Sequence, residues 1–166
     1  MPITTQERKY LKNKHKGGKN NNKGATYENY YATYLIASFT HKYMTQMESV
    51  FLSSQLENAF VDDLLVNETS TLLRTYHQLK DVARLTWRTG KGCSLETDFK
   101  RQMEISNEKG ENFKLKLIYS KTDSPVSSVP NNLSPFTTSE YFPASHSINQ
   151  LILSYPPFKD AIKQIM

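Results

Sequence analysis

Asp62 and Asp63 interrupt the apolar run AFVDDLLV, and further along a second run, TYHQLK, ends in Gln78-Leu79-Lys80. Burying such groups in a sheet is costly unless they pair with one another or hold a metal ion. Their types suit a definite chemistry. Carboxylate and amide oxygens are hard donors for a divalent cation, and hydrolysis of a phosphodiester needs such a cation together with a positioned water. A further carboxylate, Glu28, precedes both runs in GATYENYY. A Gln-x-Lys tripeptide alone is far more often an ordinary strand end than a site, so functional weight comes only from the three features together.

These side chains need elements that bring them together. Residues 58–67 and 72–80 read as strands, and the polar stretch Asn67-Glu68-Thr69-Ser70 between them predicts an antiparallel hairpin. Side chains alternate across a sheet, so Gln78 and Lys80 share one face and Leu79 takes the other. One of the two aspartates must share the face of Gln78, and a slip of one residue would exchange them. With the turn centred between Thr69 and Ser70, Asp63 lies opposite Tyr76 and diagonal to Gln78, which favours Asp63 over Asp62. A strand over 47–54 precedes the pair. Upstream, Thr26 caps a predicted helix reaching about Met44, with Tyr27, Tyr30, Tyr31, Tyr34 and Leu35 at spacings of three and four. Glu28 falls in its first turn, where the helix dipole alone favours a carboxylate by about 0.3–1 kcal/mol. Downstream, Ser94 caps a helix to about Asn107, and FKLKLIYS over 113–120 supplies another strand.

Taken in order, a helix bearing Glu28, three strands with Asp63 on the second and Gln78-x-Lys80 ending the third, then a helix and a strand, resemble the PD-(D/E)XK, or restriction-endonuclease-like, nuclease superfamily. The likeness is carried by GATYENYY, FVDDLLV, YHQLKD, Trp87 and LETDFKRQM. It is closest to the branch whose tripeptide reads Gln-x-Lys, found in modification-dependent restriction enzymes and in effector nucleases of bacterial antiphage defence. The resemblance implies an α/β fold with an α-β-β-β-α-β core and a mixed central sheet flanked by helices. It implies an endonuclease that cuts DNA with Mg²⁺ (or Mn²⁺), the ion being held by Asp63, Gln78, the Leu79 carbonyl and Glu28, while Lys80 orients or polarises the attacking water. Gln78 departs from the acidic version of the pattern. It supplies an oxygen but no charge, so metal affinity would lean on Asp63 and Glu28. A catalytically inactive module that keeps the scaffold for nucleic-acid binding or complex assembly is the alternative expectation.

The bulk properties fit this frame. At 166 residues the chain suits one domain, and no apolar run approaches a membrane span. The start shows no secretory signal, and the single Cys93 cannot build a disulfide framework, which points to a reducing, cytoplasmic setting. His15, His41, His77 and His146 lack zinc-ligand spacing, Gly90-Lys91-Gly92 is not a phosphate loop, and Cys93 has no base nearby. The net charge of +5 is uneven: Arg8, Lys9, Lys12, Lys14, Lys16, Lys19 and Lys23 have no acid among them, whereas residues 24–166 hold fourteen Lys and Arg against fifteen Asp and Glu. Residues 1–23 therefore read as a flexible basic arm, either a clamp on a phosphate backbone or a solvated tail. Residues 24–120 would form the nuclease core, where Arg84, Arg88, Lys91, Lys100 and Arg101 read either as a phosphate-binding basic patch near the catalytic end or, in part, as plain helix surface charges. Residues 121–166 begin as a Pro- and Ser-rich extended segment and end in a helical tail, DAIKQIM, without a stop signal. That ending suggests truncation, a missing C-terminal domain, or docking to a regulatory partner. Oligomer formation is left open.

Overall fold

The computed structural model describes residues 3–19, 22–46, 49–88, 94–123 and 125–165, with the main chain alone at 16–19, 22–23, 41–42, 45–46 and 125. Gly90, Lys91, Gly92 and Cys93 lie outside the described residues, as does Met47 at the expected start of the first strand. The helices are α1 (Thr5–Lys19), α2 (Asn22–Gln46), α3 (Leu95–Glu108), α4 (Ile148–Ser154) and α5 (Pro156–Lys163). The strands are β1 (Val50–Ser54), β2 (Leu64–Glu68), β3 (Leu73–Lys80), β4 (Asn112–Tyr119) and β5 (Thr137–Tyr141), side by side in chain order in one sheet. The first three form an antiparallel meander, and β4 and β5 run parallel to β3. The protein is thus α/β, with a mixed five-stranded sheet flanked by helices. No helix among the described residues is long and apolar enough to cross a membrane.

A tight turn cannot join parallel strands, so the chain between β3 and β4 crosses over through α3. Ser94 caps that helix as its residue type predicts, its Oγ accepting the Thr97 N–H at 3.2 Å. Alternation along β4 sorts the core onto two faces. Leu115, Leu117 and Tyr119 join Phe99 of α3 and Trp87, whose rings meet edge-on at 5.2 Å. Ile118 joins Tyr31 and Leu35 of α2, Leu151 of α4 and Phe158 of α5. At the centre of that second face the fully buried Phe142 ring lies 5.1–5.8 Å from the rings of Tyr27, Tyr31, Tyr34 and Tyr155. The C-terminal tail is therefore part of the core. Pro156, which interrupts the apolar stretch in the sequence, stands at the start of α5, where its missing N–H costs nothing.

Several expectations fail. Helix α2 begins at Asn22, so Thr26 is not its cap and Glu28 lies beyond its first turn. The arm read as flexible is helix α1, docked on the domain along the face that carries Glu7, Tyr10, Leu11 and Lys14. Its composition cannot build a core alone, but Leu11 needs only a pocket supplied by Phe60 and Ile105, and Lys14 meets acids from elsewhere. The segment after residue 121, read as a Pro- and Ser-rich extended stretch outside the core, contains β5. Its pattern TTSEY is too polar to register as a strand, because β5 is an edge strand whose residues, Thr137 apart, are only partly buried or exposed.

The hairpin register also differs from the expected one. Leu65, not Asp63, lies opposite Tyr76, and Leu64 lies opposite His77. The shift is two residues, so every side chain keeps its face, and continuing the pairing by one step sets Asp63 against Gln78.

His77 points to the opposite face from Gln78, 1% exposed, with its ring 5.7 Å from that of Tyr31. Burial, reinforced by the Lys116 charge, pulls its pKa from 6.5 to about 3. Between those values the unfolded chain binds a proton that the native protein does not, so stability is complete above pH 6.5 and is lost progressively as the pH falls toward 3. Replacing His77 by leucine should flatten this part of the stability profile by about one proton's worth, read as urea midpoints at successive pH values. An unchanged slope in the variant would contradict the assignment.

Candidate active site

Asp62 and Asp63 stand at the entry to β2 rather than within it. The chain doubles back before them: the Gln55 N–H donates to the Asp63 carbonyl at 3.1 Å and the Leu56 N–H to the Asp62 carbonyl at 2.8 Å, with Gln55 in the left-handed region at φ 54°. The main-chain groups being committed, the two carboxylates turn to different partners.

Asp63 faces β3. Its Oδ2 accepts the Leu79 N–H at 2.7 Å and a hydrogen bond from Gln78 Nε2, and Lys80 Nζ lies 3.7 Å away. The N–H and C=O of a strand residue point to the same side, so the Leu79 carbonyl also faces the Asp63 edge, while the Leu79 side chain is buried among the α2 core residues. Glu28 approaches from the first turns of α2 and accepts a hydrogen bond from Gln55 Nε2 at 2.8 Å. Glu28, Gln55 and Asp63 line one cavity of about 180 Å³. Burial raises the Glu28 pKa, the nearby Asp63 charge adds to the rise, and the Gln55 hydrogen bond opposes it. Lys80 is partly exposed, its side chain 31% accessible, whereas Gln78 is completely buried, so only Lys80 of the two can meet a ligand from solvent.

Asp62 faces the other way, toward α1. Lys14 Nζ lies 3.0 Å from Asp62 Oδ1 and 3.0 Å from Asp98 Oδ2, and donates to the Phe60 carbonyl and to Gln78 Oε1 at 3.1 Å. Burial works against the Lys14 charge, but the two aspartates outweigh it and hold its pKa above the ordinary lysine value. The Tyr10 hydroxyl lies 3.0 Å from both oxygens of Asp98. Gln78 is thereby spoken for at both ends: its oxygen meets a cation and its nitrogen meets a carboxylate.

Asp63, Gln78, Leu79, Lys80 and Glu28 are thus brought into one neighbourhood from β2, β3 and α2. As donors for a divalent ion they fit unequally. Asp63 and Glu28 present carboxylates to a common cavity, a hard-oxygen pair suited to Mg²⁺ completed by waters. Gln78 does not fit in this conformation, because its amide nitrogen, not its oxygen, faces Asp63. Among the described residues no three His, Cys, Asp or Glu side chains cluster as a metal site.

Two residues of the expected basic patch are engaged by acids, and Lys91 lies outside the described residues. Arg88 pairs with Glu96 through both Nε and Nη2, and Arg101 is bound to Glu7 and Glu104. Sequence reasoning missed Lys14, Asp98 and Gln55. Lys14 had one usable signal, its spacing of seven from Glu7 and three from Leu11, which puts it on the docked face of a helix. Asp98 stands in the first turn of α3, where the helix dipole alone accounts for an acid, and Gln55 had no signal at all.

Protein-family models, curated proteins and solved structures were compared with the chain, and none matches.

Carboxyl titration by NMR should place Glu28 above the ordinary glutamate value. Gln55→Ala should raise it further by removing a hydrogen bond to the charged form, and Asp63→Asn should lower it by removing a like charge. Opposite signs would show that the two carboxylates do not share the cavity.

Proposed function

We propose that this chain is a divalent-metal-dependent nuclease domain that hydrolyses DNA phosphodiester bonds, using Mg²⁺ or Mn²⁺ at Asp63 and Glu28. The observation that carries the proposal is the convergence of Asp63, Lys80 and Glu28 from three separate parts of the chain at the C-terminal end of the central strand β3, beside a cavity. The order α2-β1-β2-β3-α3-β4, antiparallel through β3 and then parallel, is compatible with the α-β-β-β-α-β core of restriction-endonuclease-like nucleases and supports that finer reading of the fold. When bound, the ion would neutralise charge on the phosphate.

The protein's own groups would do the rest. Asp63, pinned by the Leu79 N–H and by Gln78, presents a carboxylate that cannot turn away. Lys80 supplies a partly exposed ammonium next to it, suited to hold the attacking water and the phosphate oxygen. Glu28 completes the carboxylate pair, and burial together with the Asp63 charge makes it ionise at a higher pH than an ordinary glutamate. The resemblance supports a role as an effector of bacterial defence or restriction, with a regulatory partner.

One observation favours a second reading. The captured Gln78 oxygen leaves the centre without one of its expected ligands, as in a nuclease-fold module retained for nucleic-acid binding or complex assembly.

The discriminating assay incubates the full chain with plasmid and short duplexes in Mg²⁺, Mn²⁺ or EDTA. Cleavage should vanish in EDTA and fall at least about 100-fold in Asp63→Ala and Lys80→Ala, in line with loss of a group that stabilises the transition state. Activity that survives either substitution would remove the assigned site, and DNA binding without cleavage in any metal, both in the wild-type chain and with helix α1 loosened by Glu7→Arg, would favour the inactive module.

A further inference from the structure

We propose that helix α1 is an inhibitory latch on this centre and Lys14 its bolt, an internal cation that holds the Gln78 amide oxygen away from the metal position. The inference rests on the nuclease reading for what is being inhibited, and on geometry for how.

Lys14 Nζ stands among oxygens from four residues, the Asp62 and Asp98 carboxylates, the Gln78 amide and the Phe60 carbonyl. Such a set of hard oxygens is what a divalent ion takes, and here a lysine fills it. The consequence passes directly into the site. With Oε1 bound to Lys14, Gln78 can offer Asp63 only its NH₂ group, which bonds the Asp63 oxygen that a cation would otherwise use. Withdrawal of Lys14 frees the amide to turn, leaves Asp62 and Asp98 without their shared counter-charge, and so makes the whole neighbourhood more attractive to a metal ion.

The attachment of α1 suits a part that can leave. Its apolar contacts are few, with Leu11 the only deeply buried side chain among Ile3, Tyr10 and itself. Most of the docking is polar, through Glu7 to Arg101 at one end of the interface, Tyr10 to Asp98 in the middle and Lys14 at the other end. Charge-based docking of this kind can be broken at a distance from the site.

Two full-length variants test this. Glu7→Arg sets two guanidinium groups against each other at the α1–α3 contact and loosens α1 without touching an oxygen near Asp63. Lys14→Met removes the bolt itself. Binding of Mn²⁺ is measured by electron paramagnetic resonance of the free ion, with thermal melts recorded with and without Mn²⁺. The wild-type protein should bind Mn²⁺ weakly, and both variants at least about tenfold more tightly, equivalent to 1.4 kcal/mol. Where Lys14→Met folds poorly, Mn²⁺ should restore its melting transition by supplying the missing positive charge. Affinities within about twofold of wild type in both variants, with no thermal rescue, would show that Lys14 is a structural ion-pair partner only and would overturn the latch. Tighter Mn²⁺ binding without any DNA cleavage would uphold the latch and sink the nuclease reading, whereas wild-type cleavage at an Mn²⁺ affinity equal to that of the variants would do the reverse.

Discussion

A buried amide has to satisfy both of its ends, and leaving one unpaired costs about 1–3 kcal/mol. Gln78 is fully buried in β3, and the way its two ends are met organises everything around it. Its nitrogen requires an acceptor, which fixes Asp63 at the mouth of β2. Its oxygen requires a donor, which is Lys14, and Lys14 can be buried only because Asp62 and Asp98 are there to balance it. The result is a line of alternating charge from Asp98 and Asp62 through Lys14, Gln78 and Asp63 to Lys80. It ties α1 and α3 to the hairpin across the sheet. Removing one member of such a buried set costs about 3–5 kcal/mol, because the remaining charges are left uncompensated, so the line is as much a constraint on folding as on chemistry.

Much of this frame was legible in the sequence because it obeys short-range rules. Alternation placed Gln78 and Lys80 on one face and His77 on the other, the turn chemistry placed the hairpin, and Ser94 marked the start of α3. The register was wrong by two residues, yet the prediction that Asp63 faces Gln78 survived, since faces depend only on whether a shift is odd or even. The aromatic spacing in α2 likewise foretold a helix packed through Tyr27, Tyr31 and Leu35.

What could not be read depends on contacts between distant parts of the chain. Nothing within residues 5–19 distinguishes a solvated basic tail from a helix anchored by Glu7, Leu11 and Lys14, because the anchoring groups Arg101, Phe60, Asp62 and Asp98 lie 46 or more positions from the residues they hold. The same holds for β5. Thr137–Tyr141 has weak strand character and is ordered by pairing with β4, whose own apolar alternation was plain. Gln55 matters to Glu28 only because the chain reverses after β1 in a left-handed residue, a conformation its type does not announce.

The choice of glutamine over glutamate at position 78 follows from the same electrostatics. Asp62, Asp63, Asp98 and Glu28 already bring four carboxylates to this region, against the ammonium groups of Lys14 and Lys80. A glutamate at position 78 would set another negative charge against Asp63. At about 4 Å and an effective dielectric constant of 20, two like charges repel by about 4 kcal/mol. The amide avoids that repulsion by turning a donor toward Asp63, and its oxygen still receives Lys14. The exchange has a chemical consequence. With no charge at position 78, the negative potential at the cavity is set by Asp63 and by Glu28, and Glu28 is the one whose ionisation is held back by burial. At the proposed metal site, a cation would therefore bind more tightly as the pH rises and Glu28 loses its proton.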